Sequence, residues 1–142
     1  QGQILMNPVQ LASIYSSFVN EGSIYQPHIV QGKTKTWIKN IFSKETTKTI
    51  KEDLINVIAD EKGTGHSIYH DNVTLAGKTG TAEIKQSQSD TSGTELGWFT
   101  VMTTDSKQPL LITTLVEDVK DRGGSGYVVE HTKTPLDLYL SK

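Results

Sequence analysis

Apolar residues recur at helical spacing near the start of the chain. Asn7 is typical of the residue that caps a helix, and Pro8 suits the first helical position, where its missing N–H would have no partner. The apolar positions that follow are Leu11, Ile14, Tyr15, Phe18 and Val19. Their spacing predicts a helix that ends at Gly22.

A second apolar stripe lies between residues 43 and 60. Ser43 can cap a helix at its start, and the pattern ends near Asp60. The stripe consists of Ile50, Leu54, Ile55, Val57 and Ile58. It therefore predicts a helix with one face turned toward a core.

Two further regions are rich in β-branched residues. Residues 25–42 also contain proline and glycine, which predicts extended chain with a hairpin at residues 31–35. Downstream of a polar loop at residues 61–72, three strand-like segments are joined by polar connections. These segments are residues 74–84, 96–104 and 110–119. Antiparallel pairing of consecutive segments predicts a three-stranded meander.

The last apolar pattern, at residues 125–140, predicts a closing helix that Pro135 must kink or divide. The elements together predict one α+β domain over residues 1–142. We expect an antiparallel sheet of at least three strands, with the closing helix on one face and the two earlier helices in a second layer.

Composition narrows the classes of partner. A net charge of −2, from 14 basic and 16 acidic residues, gives no electrostatic reason to expect nucleic acid. The absence of cysteine excludes disulfides and thiol chemistry. No apolar stretch is long enough to span a bilayer, and the start of the chain does not resemble a signal peptide. We therefore expect any membrane anchor to lie outside this chain.

The candidate chemistry lies in residues 76–83, with the sequence Ala-Gly-Lys-Thr-Gly-Thr-Ala-Glu. Small residues around Lys78 and Thr79 leave little side chain for packing, so another group must approach the backbone of this strand. A Lys-Thr-Gly triplet occurs beside Ser-x-x-Lys and Ser-Asp-Asn elements in penicillin-recognising serine enzymes. Alone, the triplet is more typical of a surface strand that ends in a turn than of such a site.

Three other patterns have a functional and a structural interpretation. His66 and His70 have the spacing of metal ligands, but their polar loop lacks further ligands and favours solvated histidines. The glycine-rich residues 123–126 lack the lysine of a phosphate-binding loop, which favours a turn. Trp98 and Phe99 fit either a ligand platform or a packed strand. We expect no metal and no cofactor.

Four landmarks occur in a fixed order along the chain. They are Gln1-Gly2-Gln3 with Asn7-Pro8-Val9-Gln10-Leu11, Asn20-Glu21-Gly22 with Pro27-His28, the segment 77–83, and Gly97-Trp98-Phe99. In these landmarks the chain resembles, from end to end, the C-terminal part of class B penicillin-binding proteins, especially the low-affinity type associated with β-lactam resistance. The resemblance implies a partial penicillin-binding or β-lactamase-like transpeptidase fold.

The resemblance also implies a bacterial D,D-transpeptidase that acts in peptidoglycan synthesis at the extracytoplasmic face of the cell membrane. In that family an active serine attacks the D-Ala-D-Ala bond of a stem peptide, and the amine of a neighbouring stem resolves the acyl-enzyme. β-Lactams bind at the same site. The implied partners of the parent protein are therefore peptidoglycan stem peptides and β-lactams.

The resemblance assigns roles within the motif. Lys78 is catalytic, because its ammonium polarises the serine of the second motif and attracts the terminal carboxylate of the substrate. Thr81 is catalytic and substrate-binding, with an oxyanion-hole N–H and a hydroxyl for the carboxylate. Gly80 binds substrate by leaving the strand edge open to a peptide, and Thr79, placed with these substrate-binding residues, is mainly structural. Glu83 matches the motif without an assigned role. The polar residues 85–95 are expected to overhang the cleft.

Two catalytic elements of that family do not occur in the sequence. No serine is followed three positions later by lysine, and no Ser-x-Asn is present. In the family both elements precede the landmarks found here. We therefore expect residues 1–142 to be the C-terminal portion of a single transpeptidase domain, inactive alone. The resulting open sheet edge and apolar faces predict dimerisation or strand exchange.

Three alternatives remain beside a transpeptidase. A β-lactam-binding sensor domain would use the same fold without turnover, and upstream sequence would distinguish it. A β-lactamase would need a deacylating base, for which this chain offers no identifiable residue. An independent interaction protein is disfavoured by the complete order of the landmarks.

Overall fold

The first helix, α1, covers Pro8–Ser16 in the computed structural model, which describes residues 4–85, 87, 89–90, 92–105 and 107–141. Asn7 caps α1 as predicted: its side chain accepts the N–H of Gln10 at 2.9 Å, and its own N–H donates to the Gln10 side chain at 3.3 Å. The Gln1-Gly2-Gln3 landmark lies outside the described residues.

The predicted end of α1 at Gly22 is wrong, because residues 17–22 form turns. The hydroxyls of Ser16 and Ser17 donate to carbonyls three residues back, at 2.7 and 2.6 Å. The Ser17 N–H also bonds three residues back. These shorter-range bonds compete with the helical pattern and end it before the predicted residue. Gly22 instead supplies the positive φ of 78° that the turn requires.

The extended region forms a small hairpin. Its strands, β1 (Ile24–Tyr25) and β2 (Thr36–Ile38), pair in antiparallel fashion, and the connection between them is wider than the predicted residues 31–35. The second helix, α2, covers Lys44–Ala59. The cap at Ser43, whose hydroxyl accepts the N–H of Thr46 at 3.0 Å, and the end near Asp60 are confirmed.

The three predicted strands form one antiparallel sheet. They are β3 (Leu75–Ile84), β4 (Thr94–Thr103) and β5 (Leu111–Val116), in the order β3-β4-β5. Leu75 pairs with Thr103 at one end of the β3-β4 ladder, and Ile84 pairs with Thr94 at the other. The meander is confirmed. The polar loop before β3 also contains a short 3₁₀ helix, His66–Ile68, which the sequence did not predict.

The closing helix, α3, runs without a break through Ser125–Leu140, so Pro135 does not divide it. Val128, Val129, Thr132 and Leu136 are buried on one side of α3. This packing offsets the one helical hydrogen bond that Pro135 cannot donate.

Two apolar clusters hold the layers together. One joins α3 to the sheet, and its buried members are Ile58, Ile68, Leu75, Phe99, Val101, Val119, Val128, Val129 and Leu136. The other lies on the α1 side and contains Phe18, Leu54, Ala76 and Met102. The helix α2 lies alongside β3: it supplies Ile58 to the α3-side cluster, while Leu54 packs in the α1-side cluster together with Phe18. The predicted α+β class is confirmed. Within the described residues, no helix is long and apolar enough to cross a membrane.

Candidate functional site

The residues of the Lys-Thr-Gly segment divide between the two faces of β3. Successive side chains of a strand point to opposite faces, and directly paired residues share a face. Lys78 pairs with Thr100 and Gly80 with Trp98, on the side of α1. Thr81 pairs with Gly97, where an added Cβ would meet Val119 and Val128, on the side of α3. The hydroxyls of Thr79 and Thr81 therefore share the α3 face.

A cavity of about 330 Å³ lies at this part of β3. Its strand residues are Lys78, Thr79, Gly80, Thr81, Ala82, Trp98 and Thr100, and its other wall consists of Ile4, Met6, Leu11 and Tyr15. Burial raises the pKa of the Tyr15 phenol above its ordinary value, so this wall is uncharged near neutral pH. The structure brings all four predicted site residues to one cavity, with a lysine as the cationic group.

Lys78 is exposed, and its side chain folds back over the strand. Its Nζ donates to the carbonyl oxygen of Thr79 at 2.8 Å. An ammonium group has three N–H donors, so this bond leaves donor capacity for an anionic ligand. The geometry places a positive charge at the rim of the cavity.

Thr79 is buried, and its hydroxyl oxygen lies 2.8 Å from that of Thr64 in a hydrogen bond. The sequence analysis did not identify Thr64, although the glycines on either side of it, Gly63 and Gly65, indicate a close approach of the backbone. The loop is fixed to the end of α2, because the N–H of Gly65 donates to the carbonyl of Val57 at 3.0 Å. A Cβ on Gly63 would lie 2.3 Å from that same carbonyl oxygen, so the close approach requires glycine.

Gly77 and Gly80 flank the lysine and threonine for different reasons. A Cβ on Gly77 would lie 2.9 Å from the carbonyl oxygen of Thr100, so packing excludes a side chain there. A Cβ on Gly80 would have Trp98 Cβ as its nearest neighbour, at an ordinary contact distance of 3.5 Å. The packing of the protein therefore does not demand a glycine at position 80.

The α3 face brings the start of α3 close to Thr81. An added Cβ on Gly124, the residue that precedes α3, would lie 3.5 Å from Thr81 Oγ1. Gly124 has a φ of 61° and a ψ of −134°, a backbone conformation that favours glycine. At Gly124, the backbone of the chain therefore approaches Thr81 without an intervening side chain of its own.

Glu83 pairs with Lys85 beyond the cavity. The hydrogen bond and the charge of Lys85 lower the pKa of the exposed Glu83 carboxyl. Glu83 is thus an anion held by a lysine, and it does not line the cavity. The overhang of residues 85–95 stays a prediction, since residues 86, 88 and 91 lie outside the described part of the chain.

The structure distinguishes between the two interpretations of the aromatic pair and of the two histidines. Phe99 is fully buried in the α3 cluster, whereas Trp98, on the opposite face, lines the cavity. Both histidines contact protein groups: His66 Nδ1 lies 2.9 Å from the carbonyl oxygen of Ile58, and His70 Nε2 lies 3.0 Å from Asp137 Oδ1. Within the described ranges, no three His, Cys, Asp or Glu side chains are grouped to hold a metal ion.

A larger cavity, of about 550 Å³, lies between α1, the β1-β2 hairpin and β5. Its lining includes Val9, Ser13, Tyr25, His28 and Thr113, but none of the Lys-Thr-Gly residues. Its size therefore does not make it the site of the predicted chemistry.

Known proteins are similar to this chain in sequence and in fold. Residues 1–134 match the family model described as the penicillin binding protein transpeptidase domain. The chain is 40% identical over 136 residues to penicillin-binding protein 3 of Bacillus subtilis strain 168, a match that covers 94% of this chain and 20% of the relative. It is 24% identical over 163 residues to the peptidoglycan D,D-transpeptidase MrdA of Haemophilus influenzae, covering 100% of this chain and 25% of that protein.

A solved structure extends the likeness to three dimensions. The penicillin-binding protein in the complex between PBP2 and MreC from Helicobacter pylori has a TM-score of 0.70 with this chain at 28% identity. The match covers 96% of this chain and 25% of that one. The chain thus spans about a fifth to a quarter of the length of these relatives.

Proposed function

The chain belongs to the penicillin-binding protein transpeptidase family, and from that premise we propose that it is the C-terminal portion of a D,D-transpeptidase domain. The parent cross-links peptidoglycan stem peptides through an acyl-serine intermediate and binds β-lactams at the same site. One observation carries the proposal: Lys78, Thr79, Gly80 and Thr81 line a single cavity on one strand. The nucleophilic serine and its Ser-x-x-Lys lysine belong to a part of the parent outside these 142 residues.

Lys78 supplies the positive charge of the site. Its ammonium attracts the terminal carboxylate of a stem peptide or the carboxylate of a β-lactam, and it favours the deprotonated form of a serine brought beside it. Lys78 is not the nucleophile. The bond from its Nζ to the Thr79 carbonyl keeps the ammonium next to the strand until a ligand arrives.

The edge of β3 is where substrate binds. In the described sheet β3 has β4 on one side and no strand on the other. An extended peptide can add to such an edge through main-chain hydrogen bonds, and it then meets groups from both faces of the strand. Gly80 leaves this edge clear, while the backbone N–H of Thr81 serves as an oxyanion-hole donor and its hydroxyl binds the carboxylate. Loss of one oxyanion donor typically costs about a hundredfold in rate.

Large apolar side chains are exposed on this chain, and many lie between residues 4 and 41. They include Ile4, Leu5, Val9, Ile29, Val30 and Trp37. They form the surface on which the rest of the parent domain packs. In isolation the chain pairs with a second copy through the exposed edge of its sheet. The parent is anchored at the extracytoplasmic face of the bacterial membrane.

Labelling with fluorescent penicillin tests this proposal. We compare the 142-residue chain with a longer protein that includes the serine motif, and detect the covalent adduct by mass spectrometry. We expect labelling of the longer protein alone. In that protein Lys78→Ala should slow labelling about a hundredfold or more. Lys48→Ala, at an exposed lysine on α2, serves as the matched control and should leave the rate unchanged.

Each other outcome has a definite meaning. Labelling of the 142-residue chain would show a nucleophile within it and overturn the assigned roles. Labelling of neither protein would overturn β-lactam binding. Turnover of a peptide that ends in D-Ala-D-Ala separates a transpeptidase from a sensor domain, which acylates without turnover. The low-affinity type predicts that the parent is labelled only at higher penicillin concentrations than the other penicillin-binding proteins of the same cell.

A further inference from the structure

The hydroxyl pair of Thr64 and Thr79 joins the Lys-Thr-Gly strand to the loop that follows α2. The two oxygens lie 2.8 Å apart, so one hydroxyl donates its proton to the other. Only one of the two protons is used in that bond. The remaining proton belongs to whichever hydroxyl acts as the acceptor, and it is available to a ligand.

The two threonines differ in their access to water. Thr64 is exposed, so water can satisfy its oxygen when its proton points toward Thr79. Thr79 is buried, and its hydroxyl leaves β3 on the face opposite Lys78, so the two groups can meet one anion only at the edge of the strand. An anion that is held by Lys78 accepts hydrogen bonds and donates none. Thr79 can therefore bind such an anion only as a donor, and that role leaves its oxygen free to accept the proton of Thr64.

Backbone hydrogen bonds hold the loop that carries Thr64 in place, which fixes the direction of the hydrogen bond from Thr64 to Thr79. Besides the Gly65 bond to α2, the N–H of Gly63 donates to the carbonyl of Asp60 at 2.8 Å. The ring of His66 is fixed by the carbonyl of Ile58 at 2.9 Å. Bonds on both sides of Thr64 thus hold its backbone to the end of α2, and its hydroxyl has a fixed approach to Thr79.

We propose that Thr64 is a positioning residue that donates its hydroxyl proton to Thr79 and so directs the Thr79 proton toward the carboxylate of the acyl donor or β-lactam. The inference rests on the proposed function. Hydrogen bonds in a chain polarise one another, which strengthens the bond from Thr79 to an anion. Removal of the Thr64 hydroxyl should therefore weaken carboxylate recognition.

The test uses the parent protein with its serine motif. Thr64→Val removes the hydroxyl at nearly constant shape, and Thr64→Ser keeps it. Acylation rates are measured with benzylpenicillin and with its methyl ester, which lacks the anionic carboxylate. Mass spectrometry over hours keeps the slow reaction with the ester measurable. Thr104→Val is the matched control, since the Thr104 hydroxyl also makes one hydrogen bond, to the Thr74 carbonyl at 3.0 Å, beyond the far end of β4.

We expect Thr64→Val to slow acylation by benzylpenicillin about fivefold to tenfold, the effect of one net hydrogen bond. Acylation by the ester should change less than about twofold, Thr64→Ser should restore the rate with the acid, and Thr104→Val should have no effect. Equal slowing with acid and ester would show a structural role and overturn the inference. So would an unchanged rate with the acid, or a failure of serine to restore it. A wild-type protein that neither reagent acylates would overturn the proposed function, and this inference with it.

Discussion

Gly97 controls how closely α3 approaches the sheet next to the candidate site. A Cβ on this residue would lie 2.4 Å from Val128 Cγ2 and 3.1 Å from both Cγ atoms of Val119. Val119 and Val128 are fully buried. The methyl group of Gly97→Ala would therefore lie at least 1 Å too close to Val128, because ordinary packing distances are roughly 3.4 to 4 Å, and neither valine can move into solvent.

The cost can be worked out from this geometry. Overpacking a well-packed core by one methyl group costs about 1 to 3 kcal/mol, and the severity of the contact places Gly97→Ala at the upper end. For a domain of this size the melting temperature should fall by roughly 2 to 4 °C per kcal/mol. Val128→Ala alone removes two buried methyl groups and costs about 2 kcal/mol. In the double variant the new methyl group enters the space that the valine left, so the two costs should not add.

Urea unfolding of the four proteins in this cycle gives the coupling energy directly. We expect the double variant to be more stable, by about 1 kcal/mol or more, than the sum of the single changes predicts. Gly126→Ala is the control, because its added Cβ meets no described atom within 4 Å outside its chain neighbours and the adjacent helix backbone, and it should be neutral or slightly stabilising in α3. Additive costs would refute the close approach of Gly97 to α3.

Three further predictions concern the stability at acid pH, the start of α3 and the sheet edge. The hydrogen bond from Lys133 lowers the pKa of the Asp137 carboxyl. The ionised carboxyl therefore stabilises the fold at pH values above its unfolded pKa, and this stabilisation is lost as the pH falls through the lowered pKa of the folded state. Asp137→Asn should flatten the acid limb of a pH–stability curve and, since the pair is partly exposed, cost less than about 1 kcal/mol at neutral pH. Gly124→Ala and Gly123→Ala both place alanine at positive φ, but only the former adds a methyl group beside β3. Only Gly124→Ala should therefore slow penicillin labelling of the parent beyond what its loss of stability explains. The isolated chain should elute as a dimer with light-scattering detection, and Ile84→Lys, at the exposed end of β3, should yield a monomer.

Sequence patterns predicted the helix caps and the order of the strands because these features depend on neighbouring residues. The caps at Asn7 and Ser43 each satisfy an N–H three residues away, and the sheet is a meander of consecutive segments. The end of α1 was missed because the hydroxyl of Ser17 competes for a carbonyl, a contact that apolar spacing does not report. The pairing of Thr64 with Thr79 was missed because it joins a loop to a strand 15 positions away.

The sequence analysis also did not predict that the site is divided between the two faces of β3, although the alternation of side chains along a strand implies it. The assigned roles placed Lys78 and Thr81 at one carboxylate, yet the two side chains leave β3 in opposite directions. One ligand can meet both only if it lies along the edge of the strand, between the faces. The absence of packing demand at Gly80, midway between these residues, is the feature that such an edge-bound ligand requires. The motif is therefore best understood as an edge with groups supplied from either face, and the Thr64 hydroxyl extends the α3 face of that edge by one further bond.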